Sequence, residues 1–173
     1  MSASVIDAGD DLPLTVPDLL RARVAERAKQ VLLADDDESL TYGEADRRSA
    51  ALGRALLAAG LGAGSRVAIL HPNTPDFVVA WLAAARIGAI SVPLSTFSTG
   101  HELAGLLRGA DATLLLSAAA YRSHDYPATL RAGVPDLDLG SAPPLLNPTV
   151  PSLRRIAFAL DEPDPTMENG CAR

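Results

Sequence analysis

The chain has 173 residues, 48% of them hydrophobic, and a formal net charge of -6; that length suits one domain, which at this size buries roughly 70% of its unfolded surface. With Lys29 the single lysine among 15 basic residues, it lacks the basic face that phosphate backbones attract, so nucleic acid is not an expected partner. Asp7, Asp10 and Asp11 stand where a secretory leader would be basic and then apolar; the longest apolar run, Phe77 to Ala85, is far short of the roughly 20 residues of a membrane span; the lone Cys171 permits neither an internal disulfide nor a multi-cysteine metal site, and the expected location is the cytoplasm.

Residues 1–15 are expected to be disordered. Val16 to Gln30 reads as a helix with Pro17 in its first turn and an approximate apolar stripe of Leu19, Leu20, Val24 and Ala28, packing across the edge of the elements after it. Val31 to Ala34 and Ser39 to Tyr42 are β-prone runs on either side of Asp35-Asp36-Asp37-Glu38, an insert of hairpin length. Thr41 and Glu44 have the reciprocal spacing of a capping box, which opens a helix that Gly60 ends. Its stripe is Ala45, Leu52, Ala55, Leu56 and Ala59, with Arg47, Arg48 and Arg54 largely outside it.

Val67 to Leu70 is an apolar run of strand length, the mark of a strand covered on both faces. Thr74 is expected to cap, and Pro75 to begin, a helix running to Ile87, with Gly88 as its stop. Ile90 to Leu94 reads as a strand, Gly100 to Gly109 as a helix behind a second capping box (Thr99, Glu102), and Thr113 to Ser117 as a further strand. A helix over Asp125 to Ala132, a loop rich in Pro, Gly and Asp to Pro151, and a strand over Arg155 to Leu160 complete a unit over 16–160. Residues 161–173 read as a disordered tail. The fold class is α/β: a largely parallel sheet with flanking helices, a Rossmann-like βαβαβ order, preceded by a helix and a short β-hairpin.

Few residues advertise chemistry. The four carboxylates at 35–38 lack the alternation, glycine and distant glutamate of a calcium loop. Gly60 to Ser65 resembles a phosphate loop but precedes a strand, where such a loop follows one and opens a helix, so it reads as a connecting turn. His71, His101 and His124 have no zinc-ligand spacing and read as surface or loop residues, with no metal expected. Ser65, Ser91, Ser95 and Ser117 lie near strand ends but outside the Gly-x-Ser-x-Gly frame of an exposed nucleophile. His71-Pro72-Asn73 follows a strand's carboxyl end, where parallel sheets bind ligands. Phe77 and Trp81, four apart, read as core rather than a stacking platform. No catalytic, cofactor-binding or metal-binding residue is assigned.

Leu40-Thr41-Tyr42-x-Glu44, the helix ending at Gly60, Arg66-Val67-Ala68-Ile69, Pro72-Asn73-Thr74-Pro75-x-Phe77, Ala85-Arg86-Ile87-Gly88-Ala89 and Val92-Pro93-Leu94 resemble, in that order, the N-terminal region of the AMP-forming adenylating superfamily. That superfamily includes acyl- and aryl-CoA synthetases, luciferases and peptide-synthetase adenylation domains. The resemblance implies activation of a carboxylate by ATP and Mg2+ to an acyl-adenylate, then transfer to coenzyme A. It also implies four elements that this sequence lacks: a Ser/Thr/Gly-rich loop ending in Pro-Lys-Gly, a Thr-Glu motif, a hinge aspartate and a C-terminal-domain lysine. Ser98-Thr99-Gly100 continues into His101 and Glu102 and reads as a helix cap, and Lys29 matches no motif. The expectation is the front part of a fatty-acid or related CoA ligase from a truncated or split reading frame, inactive alone. It would meet either the rest of a synthetase or a second copy through an exposed apolar face. The alternatives are a non-catalytic α/β binding module and a flavodoxin-like or dinucleotide-binding protein.

Overall fold

A computed structural model describes residues 15–35 and 38–158. The expected disorder of 1–14 and 161–173 lies outside those residues, as do Asp36 and Asp37. Thr15, expected to be disordered, is instead the N-cap of helix α1 (Val16–Arg27), its Oγ1 accepting from the Asp18 N–H at 3.2 Å.

Helix α1 stops three residues before the expected Gln30 because the next element takes its carbonyls. The Gly43 N–H donates to the Ala28 oxygen at 2.9 Å and the Tyr42 N–H to the Gln30 oxygen at 3.0 Å. This close approach explains the glycine at 43, since a Cβ there would meet the Ala28 oxygen at 3.1 Å. Strands β1 (Val31–Ala34) and β2 (Ser39–Thr41) form the antiparallel hairpin, closed by the Asp35 N–H on the Glu38 oxygen at 2.9 Å.

Thr41 then caps helix α2 (Tyr42–Ala58) with both halves of the capping box. The Glu44 N–H donates to Thr41 Oγ1 at 3.2 Å, and the Thr41 N–H donates to Glu44 Oε2 at 2.9 Å. Gly60, at φ 85°, turns the chain out of the helix in the left-handed region that favours glycine.

Four strands make the main sheet: β3 (Arg66–Leu70), β4 (Ile90–Pro93), β5 (Leu114–Ser117) and, last in sequence, Arg155–Phe158. The order is β4, β3, β5, then the last strand, and every pairing is parallel. Pro93 sits on the edge strand β4, where a missing N–H breaks no ladder. Helices α3 (Pro75–Arg86) and α4 (Gly100–Gly109) cross between strands.

The chain after β5 first makes a hairpin absent from the sequence reading, β6 (Ala120–Tyr121) and β7 (His124–Asp125). Helix α5 (Tyr126–Gly133) comes next, and the strand at Arg155–Phe158 is therefore β8. The hairpin was not readable because two residues a side are too few for an alternation pattern.

Alternation along β3 divides the core. Val67 and Ile69 face α2 and α3 with Leu56, Ala80, Ala83 and Ala84, while Ala68 and Leu70 face α4 and α5 with Leu103, Leu107 and Leu130. Each fully buried leucine of that set contributes about 1.5–3 kcal/mol. Helix α1 packs outside α2 and α3, not across a sheet edge, and shares a third cluster of Leu20, Leu40, Ala45, Val79 and Leu82 with the hairpin β1–β2.

Helices α2 and α3 are also joined by polar contacts that the apolar pattern did not show. Arg86 Nε donates to Ser49 Oγ at 2.9 Å, and its guanidinium pairs with Asp46. Arg48, read as lying outside the buried stripe, reaches across to pair with Asp76. Two other expectations on α3 change. Thr74 occupies the N-cap position, but its hydroxyl makes no capping bond to the helix and turns to the Pro72 oxygen at 3.5 Å. Trp81 is 37% exposed, so only half-buried Phe77 joins the core. Spaced four apart, the two residues sit about 40° out of register around the helix, enough to carry the larger ring toward solvent.

Two sets of substitutions test this packing. Arg86→Ala, which strips a partner from fully buried Ser49, is expected to lower unfolding free energy in urea by about 1–3 kcal/mol, with exposed Arg47→Ala near zero. A Cβ at Gly133 would overlap the Gly100 carbonyl, whereas one at Gly105 meets nothing within 4 Å. Gly133→Ala is therefore expected to cost more than about 2 kcal/mol, and Gly105→Ala to stabilise by about 0.5–1 kcal/mol. The caps predict a pH dependence. The Thr41 hydroxyl and then its backbone hold the Glu44 carboxyl below its ordinary 4.5, and the Thr99 backbone and then its hydroxyl do so for Glu102. A depressed folded pKa contributes stability above the unfolded value that is lost as pH falls through the folded one. Stability measured by urea titration should thus decline below pH about 4.5, less steeply in the double variant Glu44→Gln, Glu102→Gln.

Candidate functional site

Parallel pairing brings the carboxyl ends of β3, β4 and β5 level, since Ile69 pairs with Pro93 and Leu70 with Ser117. The Leu94 N–H donates to the Ile69 oxygen and the Ala118 N–H to the Leu70 oxygen, each at 2.9 Å. The loops after the three strands therefore start side by side, the position where open parallel sheets bind ligands.

His71 is a loop residue directly after β3, as read, but it is buried at 6% exposure rather than on the surface. A loop that starts between two hydrogen-bonded neighbours turns inward, and sequence spacing could not show that. His101 is exposed in the first turn of α4, and His124 is half-buried in β7. Among the described residues no three His, Cys, Asp or Glu side chains gather as for a metal ion.

The serines are engaged locally. Ser65 Oγ accepts from the Gly62 N–H at 3.0 Å, Ser95 Oγ accepts from the Phe97 N–H at 3.2 Å, and buried Ser117 donates to the Ala118 oxygen at 2.8 Å. Ser91 lies in edge strand β4. Thr99 and Glu102 form the capping box expected of Ser98-Thr99-Gly100, and Gly100 is there because α5 comes so close that a Cβ would sit 2.7 Å from the Gly133 nitrogen. Lys29 is exposed in the turn between α1 and β1. The 60–65 segment is the connecting turn between α2 and β3.

What sequence reasoning missed is an aromatic ledge on the loops after β4 and β5. Phe97 is 70% exposed and meets His124 edge-on, with centroids 6.2 Å apart. His124 lies nearly parallel to Tyr126, 12° between planes at 6.3 Å. His124 also pairs with Tyr121 across the hairpin, and the Arg122 guanidinium stands 5.2 Å from the Tyr121 ring centroid. Arg122 adopts φ 53°, a left-handed conformation costing an L side chain about 1 kcal/mol or more. Burial pushes the Tyr126 phenol above its usual pKa, opposed by its bond to Thr96, so it is neutral at ordinary pH. The available signal was the run Tyr121-Arg122-Ser123-His124-Asp125-Tyr126 directly after a buried strand.

The opposite end of the sheet holds a shallow cavity lined by Asp136, Asp138, Ser141, Leu145 and Asn147 among others. Two of its polar side chains are already used: Asp138 accepts from Gly140 and Ser141, and Asn147 bridges Pro135 and Thr149. The ledge, by contrast, offers the exposed Phe97 ring and, beside Tyr121, an exposed cation on Arg122. It suits a planar group carrying negative charge, and among the described residues it holds no hydrogen-bonded pair of a nucleophile and a base.

Comparison with known proteins fits this architecture. A family model described as AMP-binding enzyme matches residues 20–162. The chain is similar to the putative acyl-CoA synthetase YngI of Bacillus subtilis, 29% identical over 128 residues that cover 74% of this chain and 23% of that protein. It is also similar to 4-coumarate–CoA ligase 5 of Oryza sativa subsp. japonica, 32% identical over 114 residues, 65% of this chain and 21% of the other. Among solved structures, the anthranilate CoA ligase AuaEII in complex with anthranoyl-AMP superposes with TM-score 0.67 at 22% identity, over 86% of this chain and 26% of that one, which shows the fold. The Klebsiella oxytoca NpsA N-terminal subdomain in complex with anthranilyl-AMSN gives 0.56 at 30% identity, over 60% and 27%. The chain thus spans about a quarter or less of the relatives it matches. The helix-flanked parallel sheet and the ordered motifs from Leu40 to Leu94 therefore have one source: the chain belongs to the AMP-binding enzyme family of adenylate-forming ligases.

Proposed function

We propose that this chain forms the front scaffold of an ATP-dependent acyl- or aryl-CoA ligase, that it presents the ledge to the nucleotide end of coenzyme A, and that the 173 residues alone do not form an adenylate. The carrying observation is the family match over residues 20–162. In line with the acyl-CoA synthetase relative, we take the acid to be fatty or related to a fatty acid. Work on ATP and coenzyme A favours a cytoplasmic setting; among the described residues no helix is long and apolar enough to cross a membrane.

The described residues fit the implied groups unequally. For ATP and Mg2+ the fit fails: the sequence has no Pro-Lys-Gly loop, its one lysine lies in the turn before β1, and among the described residues no metal-holding group of carboxylates gathers. We derive no step through either. For coenzyme A the fit is better, because a purine can stack on Phe97 and phosphate oxygens can take the Arg122 guanidinium. Bound there, coenzyme A would supply the accepting thiol. The chain's own part is to orient its nucleotide end while the reacting groups come from other segments of the ligase.

A second reading, an adenylation domain of a peptide synthetase, draws on 29% identity over 161 residues, 91% of this chain, with the isonitrile lipopeptide synthase of Mycobacterium tuberculosis, of which they are 6%. Its thiol would arrive on a carrier protein, with no need of free coenzyme A. A non-catalytic binding module would keep a ligand site without any ligase around it.

Two measurements test the proposal. Pyrophosphate release with ATP and a panel of fatty and aryl acids is expected to stay at background for the purified chain; turnover would overturn the claim of inactivity. Coenzyme A titrated by calorimetry is expected to bind, with Phe97→Ala and Arg122→Ala each weakening it at least about 5-fold, the low end of stacking and charge-assisted contacts. Unchanged affinity in both variants would remove the ledge from the binding site.

A further inference from the structure

We propose that Tyr126 is the positioning residue of this site: its buried hydroxyl holds the Thr96 carbonyl and so fixes the exposed Phe97 ring. The inference rests on the ledge as the coenzyme A site.

Tyr126 is 1% exposed and among the largest fully buried side chains. It begins α5, whose start is set by Asp125 capping the Ala128 N–H at 2.9 Å and by the Tyr126 N–H on the Ala119 oxygen at 3.2 Å. From this fixed base one side chain touches both neighbouring segments. The ring lies under His124 of the hairpin, and the hydroxyl donates to the Thr96 oxygen at 3.4 Å in the loop after β4.

That loop is anchored at each end. Leu94 continues the β3 ladder, and Thr99 caps α4, whose first residue, Gly100, abuts Gly133. Between the anchors, Phe97 and Ser98 bond only as far as Ser95, at 3.2 Å each, which shapes a local turn without tying it to the core. The Tyr126 bond makes that tie, one residue before Phe97.

Packing alone would be served by phenylalanine, which fills the same space without the cost of desolvating a hydroxyl. The bond is long, so its contribution to folding is small. What the hydroxyl adds is orientation. With Thr96 held, Phe97 keeps its perpendicular contact with His124 while most of its ring stays exposed to a ligand.

The experiment compares wild type with Tyr126→Phe by three readouts: coenzyme A affinity, amide hydrogen exchange and urea stability. The expected result is affinity about 3- to 10-fold weaker, exchange at Phe97 and Ser98 faster by a similar factor, and unchanged exchange in β3 and β5, the scale set by one neutral hydrogen bond. If Phe97→Ala loses binding but Tyr126→Phe binds and exchanges like wild type, the positioning role is wrong while the site stands. If Phe97→Ala and Arg122→Ala bind normally, the site reading fails and the positioning role fails with it. Cooperative loss of the fold, with exchange rising everywhere in Tyr126→Phe, would likewise overturn it by making the hydroxyl merely structural.

Discussion

Strand β3 is the constraint on which the molecule depends. It is hydrogen-bonded along both edges, to β4 and to β5, and Val67 to Leu70 are fully buried on both faces. A strand in that position can leave neither face to water, so α2 and α3 must cover Val67 and Ile69 while α4 and α5 cover Ala68 and Leu70. The same parallel register sets the carboxyl ends level and delivers His71, Leu94 and Ala118 to one edge. The ledge results from that geometry: two loops that begin on adjacent carbonyls of β3 cannot avoid meeting, and Phe97 from one meets His124 from the other.

The glycines of the sequence motifs serve the same packing in a different way. Gly43 lets α2 start against the last carbonyls of α1, and the Gly100–Gly133 contact seats α4 on α5. A Cβ would crowd the first of these approaches and obstruct the second. They explain why Leu40-Thr41-Tyr42-Gly43-Glu44 can be read as a signature: it encodes a cap, a close contact and a turn of direction within five residues. None of them performs chemistry, which agrees with a scaffold that presents a ligand and leaves bond-making to other segments.

Most of the fold was legible because its signals are local. Capping boxes at Thr41 and Thr99, the stops at Gly60 and Gly88 and the apolar runs of β3 and β5 each declare an element within a few residues. What the sequence did not show has more than one cause. Arg48 reads only as lying largely outside the apolar stripe, and its partner, Asp76, 28 residues away, is not readable; Thr74 has the residue type of a cap but bonds Pro72, two residues back; Trp81 has helical spacing to the core yet is partly exposed. The candidate site was the least legible part. Its ring residues come from three short segments, none periodic, and the sheet register is what brings Phe97 to His124 and Tyr126.

The central claim is that this scaffold presents the loops after β4 and β5, and no other surface, to the nucleotide end of coenzyme A. Backbone amide chemical-shift mapping of an isotope-labelled chain titrated with coenzyme A tests it most directly. Shifts are expected to concentrate at Thr96 to Ser98 and Tyr121 to His124, with the 136–147 loop at the opposite end of the sheet unmoved. Shifts centred on 136–147, or none at the ledge at saturating ligand, would contradict it.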